Sequence, residues 1–379
     1  MPPKNDPTFL VLDNGNTNLK SGLMGKLGYE DLIPYAIQVP TQAVYAAKVT
    51  RAKYRTEAQD DTVVFEMRHR STKEFAPYIV GEEAQRVASS KRLTGADKYQ
   101  EGIWDTVFCA KALRHFPKGH DNLVVSVAHP PDAISSVDTL MDLIGGSHTV
   151  KTLQGDTVKF VVRHVVPWDE PSGGLIQFMH VNNQASNAAN LADGDYILIL
   201  DIGGKISSMT PVRIGKNREV KPIFNQAPVF NLGIQDVLRE LVEELRSLYP
   251  DTFRGFKDIP TNMLEAALEK KKVKISNKPF DVTEAVLNAT APILDRIAGI
   301  YADRMDSGKN FSAIVVSGGG GQRLFPYLAS KKDGILKHDF IHMADLPDKL
   351  HLANLRGGME ALKVWVNDNY AKVYGRGPQ

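Results

Sequence analysis

Two aspartates pose the first chemical question. Asp13 closes an apolar run, Phe9-Leu10-Val11-Leu12, and is followed by Asn14-Gly15-Asn16-Thr17-Asn18-Leu19-Lys20. Asp201 closes Tyr196-Ile197-Leu198-Ile199-Leu200 and is followed by Ile202-Gly203-Gly204-Lys205. A third apolar run, Ala313-Ile314-Val315-Val316, ends at Ser317-Gly318-Gly319-Gly320-Gly321. A carboxylate at the end of a hydrophobic strand must be paired, hydrogen-bonded or turned toward a cation. Glycines beside it let backbone N–H groups approach an anion closely, and successive amides form a nest for phosphate. Two such carboxylates opposed across a cleft suit a hydrated Mg²⁺ against a nucleotide's phosphates, because hard cations prefer oxygen ligands. Lys20 would then neutralise phosphate charge. The competing reading is that each Asp merely caps a tight turn. Three such turns in one chain, two of them alike, favour the nucleotide cleft.

The elements that must carry these residues follow from hydrophobic patterning. After each Asp-x-Gly comes a second strand, a Gly-Lys turn (Gly25 to Gly28, Gly215 to Asn217) and a third strand, Leu32 to Val39 in one copy and Val220 to Phe230 in the other. The two copies lie about half the chain apart, which points to a duplicated domain. Between them Leu123 to Val127 reads as a strand cut off at His129-Pro130-Pro131. Val158 to Val166 is a further strand, ended by Pro167, and Ser172 to His180 reads as a helix. Leu238, Leu241, Val242, Leu245 and Leu248 draw a helical stripe closed by Pro250, and Ala353 to Asn369 is a last helix. Strands alternating with helices predict an α/β fold. Residues 40–105 are charge-rich and read as an insertion.

Composition removes several classes. The chain has 379 residues, enough for two or three domains. Its 46 basic and 44 acidic residues leave a net charge of +2, which argues against direct nucleic-acid binding. A single cysteine, Cys109, excludes an intrachain disulfide. No apolar run approaches the length of a membrane span and no secretory signal is visible, so a cytoplasmic protein is expected. No G-x-x-x-x-G-K-[ST] or kinase loop set occurs.

These residues together resemble the actin-like ATPase superfamily, most closely the ParM-type plasmid-segregation actins and archaeal actin-like proteins. Asp13 to Lys20 is similar to the family's first phosphate motif, Asp201-Ile202-Gly203-Gly204 to its second and Ser317 to Gly320 to its adenosine motif. Glu170-Pro171-Ser172-Gly173 resembles the segment that opens a helix with the water-activating acid. Asn231-Leu232-Gly233 matches the loop near the ribose, and Asn354-Leu355-Arg356-Gly357-Gly358 the second connecting motif. The markers run in the family's order over nearly the whole chain. Lys205 and Ile206 depart from the family's small hydroxyl residues.

The resemblance implies an actin-like (ribonuclease H-like) α/β fold, with duplicated domains flanking a nucleotide cleft. Domain I would span 9–185 with an insertion at about 40–105, after a disordered 1–8. Domain II would span 186–345, and 346–379 would return to domain I as a helix. The implied ligands are ATP, with GTP as an alternative, and Mg²⁺ held through water by Asp13 and Asp201. Glu170 would orient the attacking water, with Asp169 in reserve. Backbone at Gly15, Asn16, Thr17, Asn18, Gly203 and Gly204 would cradle phosphates, and Lys20 would touch them. Gly233, Gly318, Gly319 and Gly320 would receive the adenosine, with Lys271 as a further contact unless the run Lys270 to Lys272 is a solvated helix face. The implied activity is ATP hydrolysis coupled to filament assembly from copies of the chain. It would segregate plasmid DNA through a ParR-like DNA-binding adaptor, with no direct nucleic-acid or membrane contact. A monomeric small-molecule kinase of the same fold and a non-segregating cytoskeletal scaffold remain the alternatives. His338 and His342 read as strand residues rather than metal ligands, Cys109 as core, and Arg68-His69-Arg70 as a solvated charge run.

Overall fold

The computed structural model describes residues 6–14, 18–24, 37–40, 42–45, 63–80, 91–92, 102, 104–129, 137–184, 191–216, 220–223, 227–256, 258–304, 311–330, 341–346 and 350–374. The chain divides into two compact units. One comprises Met1–Ile176 with Asn354–Gln379, the other Gln177–Ala353.

In the first unit, β1 (Thr8–Asn14), β2 (Asn18–Met24) and β3 (Ile37–Pro40) form an antiparallel meander. Outward strands follow: β4 (Gln42–Tyr45), β5 (Val63–Arg68), β6 (Phe75–Val80) and β7 (Lys91–Arg92). Then come α1 (Trp104–His115), β8 (His120–His129), α2 (Val137–Ile144), β9 (Gly146–Thr152), β10 (Thr157–Asp169) and the start of α3 (Glu170–Gln184), whose residues from Gln177 on belong to the second unit. Among the described residues these strands make one ten-stranded sheet, ordered β3-β2-β1-β8-β10-β9-β5-β6-β4-β7. β1, β8 and β10 are mutually parallel at its centre, so both faces must be covered. Leu10, Leu12, Leu123, Val125 and Val127 pack on one face with Trp104, Val107, Phe108 and Cys109 of α1. Phe9, Val11 and Val124 point to the other face, under Leu355, Met359 and Leu362. This period-two split is what a continuous apolar run buys in a strand covered on both sides.

The second unit repeats the plan. β11 (Tyr196–Ile202), β12 (Ser207–Ile214) and β13 (Val220–Pro222) are an antiparallel meander; β14 (Val229–Phe230) also pairs with β12. Helices α4 (Ile234–Leu248), α5 (Pro250–Phe253) and α6 (Thr261–Lys270) follow, then the hairpin β15 (Lys272–Ile275) and β16 (Lys278–Asp281). The unit continues with α7 (Thr283–Arg304), β17 (Ala313–Ser317), α8 (Gly318–Ser330) and β18 (Ile341–Met343). β11, β17 and β18 are parallel. The order β13-β12-β11-β17-β18 therefore matches β3-β2-β1-β8-β10 strand for strand. Its core joins Leu198, Leu200, Ile314 and Val316 to α4, α7 and α8. A short 3₁₀ turn, Leu350–Leu352, leads into α9 (Ala353–Asp368) and α10 (Tyr370–Tyr374).

Several expectations are corrected. Pro167 does not end its strand: β10 runs to Asp169, with Pro167 paired to Val127 on β8. β9 pairs with β10 only as far as Val162, so a proline lacking N–H is tolerated beyond it. The strand expected over Val220 to Phe230 is two short strands, with residues 224–226 outside the described set. Gly318 to Gly321, read as a polar turn after the strand, form the first turn of α8. Lys270, Lys271 and Lys272 are not on one helix face: they end α6, adopt a left-handed cap (φ 53°) and open β15 respectively. Arg68 to Arg70 is also more than a solvated run. His69 shares a 2.6 Å hydrogen bond with the Tyr78 hydroxyl. Arg70 donates to the Asp142 and Gly145 carbonyls, clamping the β5–β6 turn to α2. Cys109 is buried as expected, and His342 lies on β18, while His338 is outside the described residues. The turn at Gly25 to Gly28 and most of 40–105 are outside them too.

Candidate functional site

In the first unit the polar residues gather where the parallel strands end. Asp13 on β1 stands opposite Lys20 on β2 in the antiparallel register. Lys20 Nζ lies 2.7 Å from Asp13 Oδ2, with Asp13 2% and Lys20 8% exposed. Each charge is therefore compensated by the other, which a buried ion requires. Lys20 is committed to Asp13 as a lone phosphate contact would not be. Gly15, Asn16 and Thr17 lie outside the described residues, and of Asn18 only the backbone, opening β2, is described.

Two strands further along the sheet, β8 ends at His129 and β10 at Asp169, register partners whose side chains meet, Nε2 to Oδ1 3.2 Å. Burial raises the Asp169 pKa, and the His129 charge works against that rise. Glu170 follows at once as the first residue of α3, half-buried. Pro171 fits the second helical position, where its missing N–H is not needed. α3 crosses α9 at glycine: a Cβ on Gly357 would overlap the Gly173 carbonyl, and one on Gly358 would strike the Trp168 indole.

In the second unit Asp201 lies one residue before the end of β11, between Ser208 on β12 and Ser317 on β17. Three backbone segments converge beside it. A Cβ on Gly318 (φ +85°) would strike Asp201 Oδ1, and one on Gly320 would sit 2.7 Å from the Gly203 carbonyl. One on Gly233 would sit 2.7 Å from the Gly204 carbonyl. Glycine is what lets the starts of α4 and α8 close on the Gly203-Gly204 turn. The amides at the start of α4 are spent there: Ile234 donates to Gly203 at 3.1 Å and Gln235 to Gly204 at 2.9 Å. Gly203 donates its own N–H to Ile206 at 3.0 Å, closing the turn. Asp201, Gly203, Gly204, Gly233, Gly318 and Gly320 are thus brought together. Gly319 faces elsewhere, toward His351 Cβ at 3.8 Å. Lys271 stands apart, its Nζ 5.6 Å over the Tyr327 ring, about two and a half turns of α8 beyond Gly318.

Two groups escaped the sequence reading. His129 was seen only as a strand end before prolines. Asp236 accepts the Gly233 N–H at 2.9 Å and sits three residues after it, ahead of an apolar stripe, a spacing that marks a helix start.

No protein-family model and no curated protein matches the chain. Solved structures do. The archaeal actin homolog Ta0583 is 16% identical over 94% of this chain and 99% of its own, with a TM-score of 0.68. A Bacillus thuringiensis ParM solved with ATP is 16% identical over 96% and 100%, TM-score 0.66. The ParM of a 15-stranded filament from Clostridium botulinum is 18% identical over 94% and 100%, TM-score 0.65. Identities this low carry the fold and no more, and on that ground the chain has the actin-like α/β fold.

Proposed function

We propose that the chain is an actin-like ATPase that binds ATP with Mg²⁺ and assembles into filaments. The observation that carries this reading is the matched placement of Asp13 and Asp201, each at the end of the central strand of one copy of the same five-strand plan. Neighbours of this fold have been solved with ATP and as a 15-stranded filament, which supports both halves of the proposal.

The residues fit the ligands. Gly233, Gly318 and Gly320 draw the starts of α4 and α8 onto the Gly203-Gly204 turn, each Cβ position there already taken by a neighbouring atom, and adenosine would lie against this backbone. Because Gly203 closes its own turn, phosphate donors in this loop begin at Gly204; Gly15 to Asn18 supply those of the other copy. Among the described residues no three His, Cys, Asp or Glu side chains could hold a metal by themselves. Mg²⁺ keeps several waters and leans on phosphate; Asp13 and Asp201 would hold those waters. When bound, Mg²⁺ would neutralise charge on the phosphates. Glu170 orients the attacking water, and Lys20 pairs with Asp13. Gly319 and Lys271 have less support as contacts. A filament that moves plasmid DNA through a ParR-like adaptor agrees with the near-neutral charge. No helix among the described residues is long and apolar enough to cross a membrane.

The test is right-angle light scattering with Mg²⁺ and ATP, GTP, ADP or no nucleotide, with phosphate release followed in parallel. Scattering that rises with ATP and decays as phosphate appears is expected. Nucleotide turnover without any rise over a wide protein range would replace this reading by the monomeric kinase. A rise with no adaptor or repeated DNA sites encoded nearby would favour the scaffold.

A further inference from the structure

The chain offers two adjacent acids, Asp169 and Glu170, at the junction of β10 and α3. There is no connecting loop: the strand's last residue is Asp169 and the helix's first is Glu170. The direction in which Glu170 projects therefore depends on how the end of β10 is held. Its backbone is registered to β8 through the pair Asp169 and His129. The side chains of the same two residues meet at 3.2 Å, with His129 7% exposed. Cross-strand partners share a face of the sheet, and successive residues alternate faces. Holding Asp169 beside His129 thus fixes the roll of the strand end on which α3 starts. Pro171, buried next to Glu170, fixes the following φ and leaves little slack to absorb a change.

We propose that His129 and Asp169 are positioning residues, a hydrogen-bonded pin across the ends of β8 and β10 that aims Glu170 at the attacking water. The proposal rests on the ATPase reading above. It gives the two acids different tasks. Asp169 is engaged by the imidazole and holds the frame, while Glu170 touches the water. His129 serves through a ring N–H donated to Asp169, so a neutral donor of similar reach does the same work.

The experiment is single-turnover phosphate release from preassembled filaments in Mg-ATP, with KM for ATP and the critical concentration measured alongside. H129A should slow release about 10- to 100-fold, the loss that a displacement of order 1 Å brings to a positioned group, with KM and critical concentration unmoved. H129Q, which keeps an amide N–H donor, should restore most of the rate. On an E170A background H129A should add nothing, because residues that act through one another are not additive. D169A run through the same cycle covers the case in which H129A folds poorly. The proposal is overturned if H129A turns over like the parent, if H129Q is as slow as H129A, or if H129A slows E170A as much as it slows the parent. A parent protein that releases no phosphate from Mg-ATP sinks the ATPase reading and this proposal with it. Normal parent turnover with an indifferent H129A sinks this proposal alone.

Discussion

A buried side chain at one position can set the acid tolerance of the whole unit, and His148 on β9 is such a position. Its ring is 5% exposed and packs, tilted, against Phe108 with centroids 4.8 Å apart, and Nε2 donates to the Ile144 carbonyl at 2.7 Å. Burial first, and then the Arg70 charge, lowers its pKa from 6.5 to about 4. The unfolded chain therefore takes up this proton before the folded one. Stability is intact above pH 6.5 and is lost as the pH falls from there toward 4, by at most about 3 kcal/mol from this residue. His115, also lowered to about 4 by burial and by Lys111 and Arg114, adds in the same direction. The urea midpoint of the parent should fall between pH 7.5 and 5, and that of H148Q should fall less. Equal drops in the two proteins would remove His148 from the account. The same residue scale shows where sequence reading reached its limit. Asp13 and Lys20 were legible as chemistry from their types, but their partnership depends on a hairpin register that places them opposite one another. His129 was invisible as chemistry because its partner lies on another strand, 40 residues later.

Elements were legible where one pattern governed them. The stripe from Leu238 to Leu248, closed by Pro250, marked the end of α4, and four apolar runs marked β1, β8, β11 and β17. They were misread where local composition and tertiary context disagreed. Four glycines after Ser317 look like a loop, yet tight packing on β11 makes glycine the residue that a helix start needs there. The alternation of buried Phe65 and Met67 with outward Glu66 and Arg68 on β5 is a period-two signal that charge obscured. The crossing of α3 and α9 provides the test at this scale. G357A places a methyl group into the Gly173 carbonyl, backbone on backbone, with no side chain to move aside. It should cost about 3 kcal/mol or more, the upper range for overpacking. G299A, inside α7 with nothing within 4 Å of its added Cβ, should instead gain about 0.5–1 kcal/mol from helix propensity. Chemical denaturation of both variants checks the contrast. Equal effects would mean that glycine content, and not the contact, sets the cost.

At the scale of the molecule, duplication was the most legible feature, since two Asp-x-Gly turns after apolar strands announced two sheets of one plan. Each unit has its own hydrophobic core, Leu198 to Leu328 in one and Leu10 to Val162 with the α9 side in the other. Units with separate cores do not melt as one two-state system. Calorimetry without nucleotide should therefore resolve two transitions. The proposed ligand contacts draw on both units, Asp13 and Glu170 from one and Asp201, Gly204 and Gly233 from the other. A ligand that binds only folded protein stabilises whatever must be folded to bind it, by about 2.7 kcal/mol at a hundred times Kd. For units of this size that is a rise of roughly 5–10 °C. ADP with Mg²⁺, used to limit assembly, should move both transitions. If only one moves, the contacts assigned to the other unit are wrong, and the variants D13A and D201A then show which half holds the nucleotide. If neither moves while ATP does shift them, the γ-phosphate carries the affinity, and the loop after Asp13 becomes the first place to mutate.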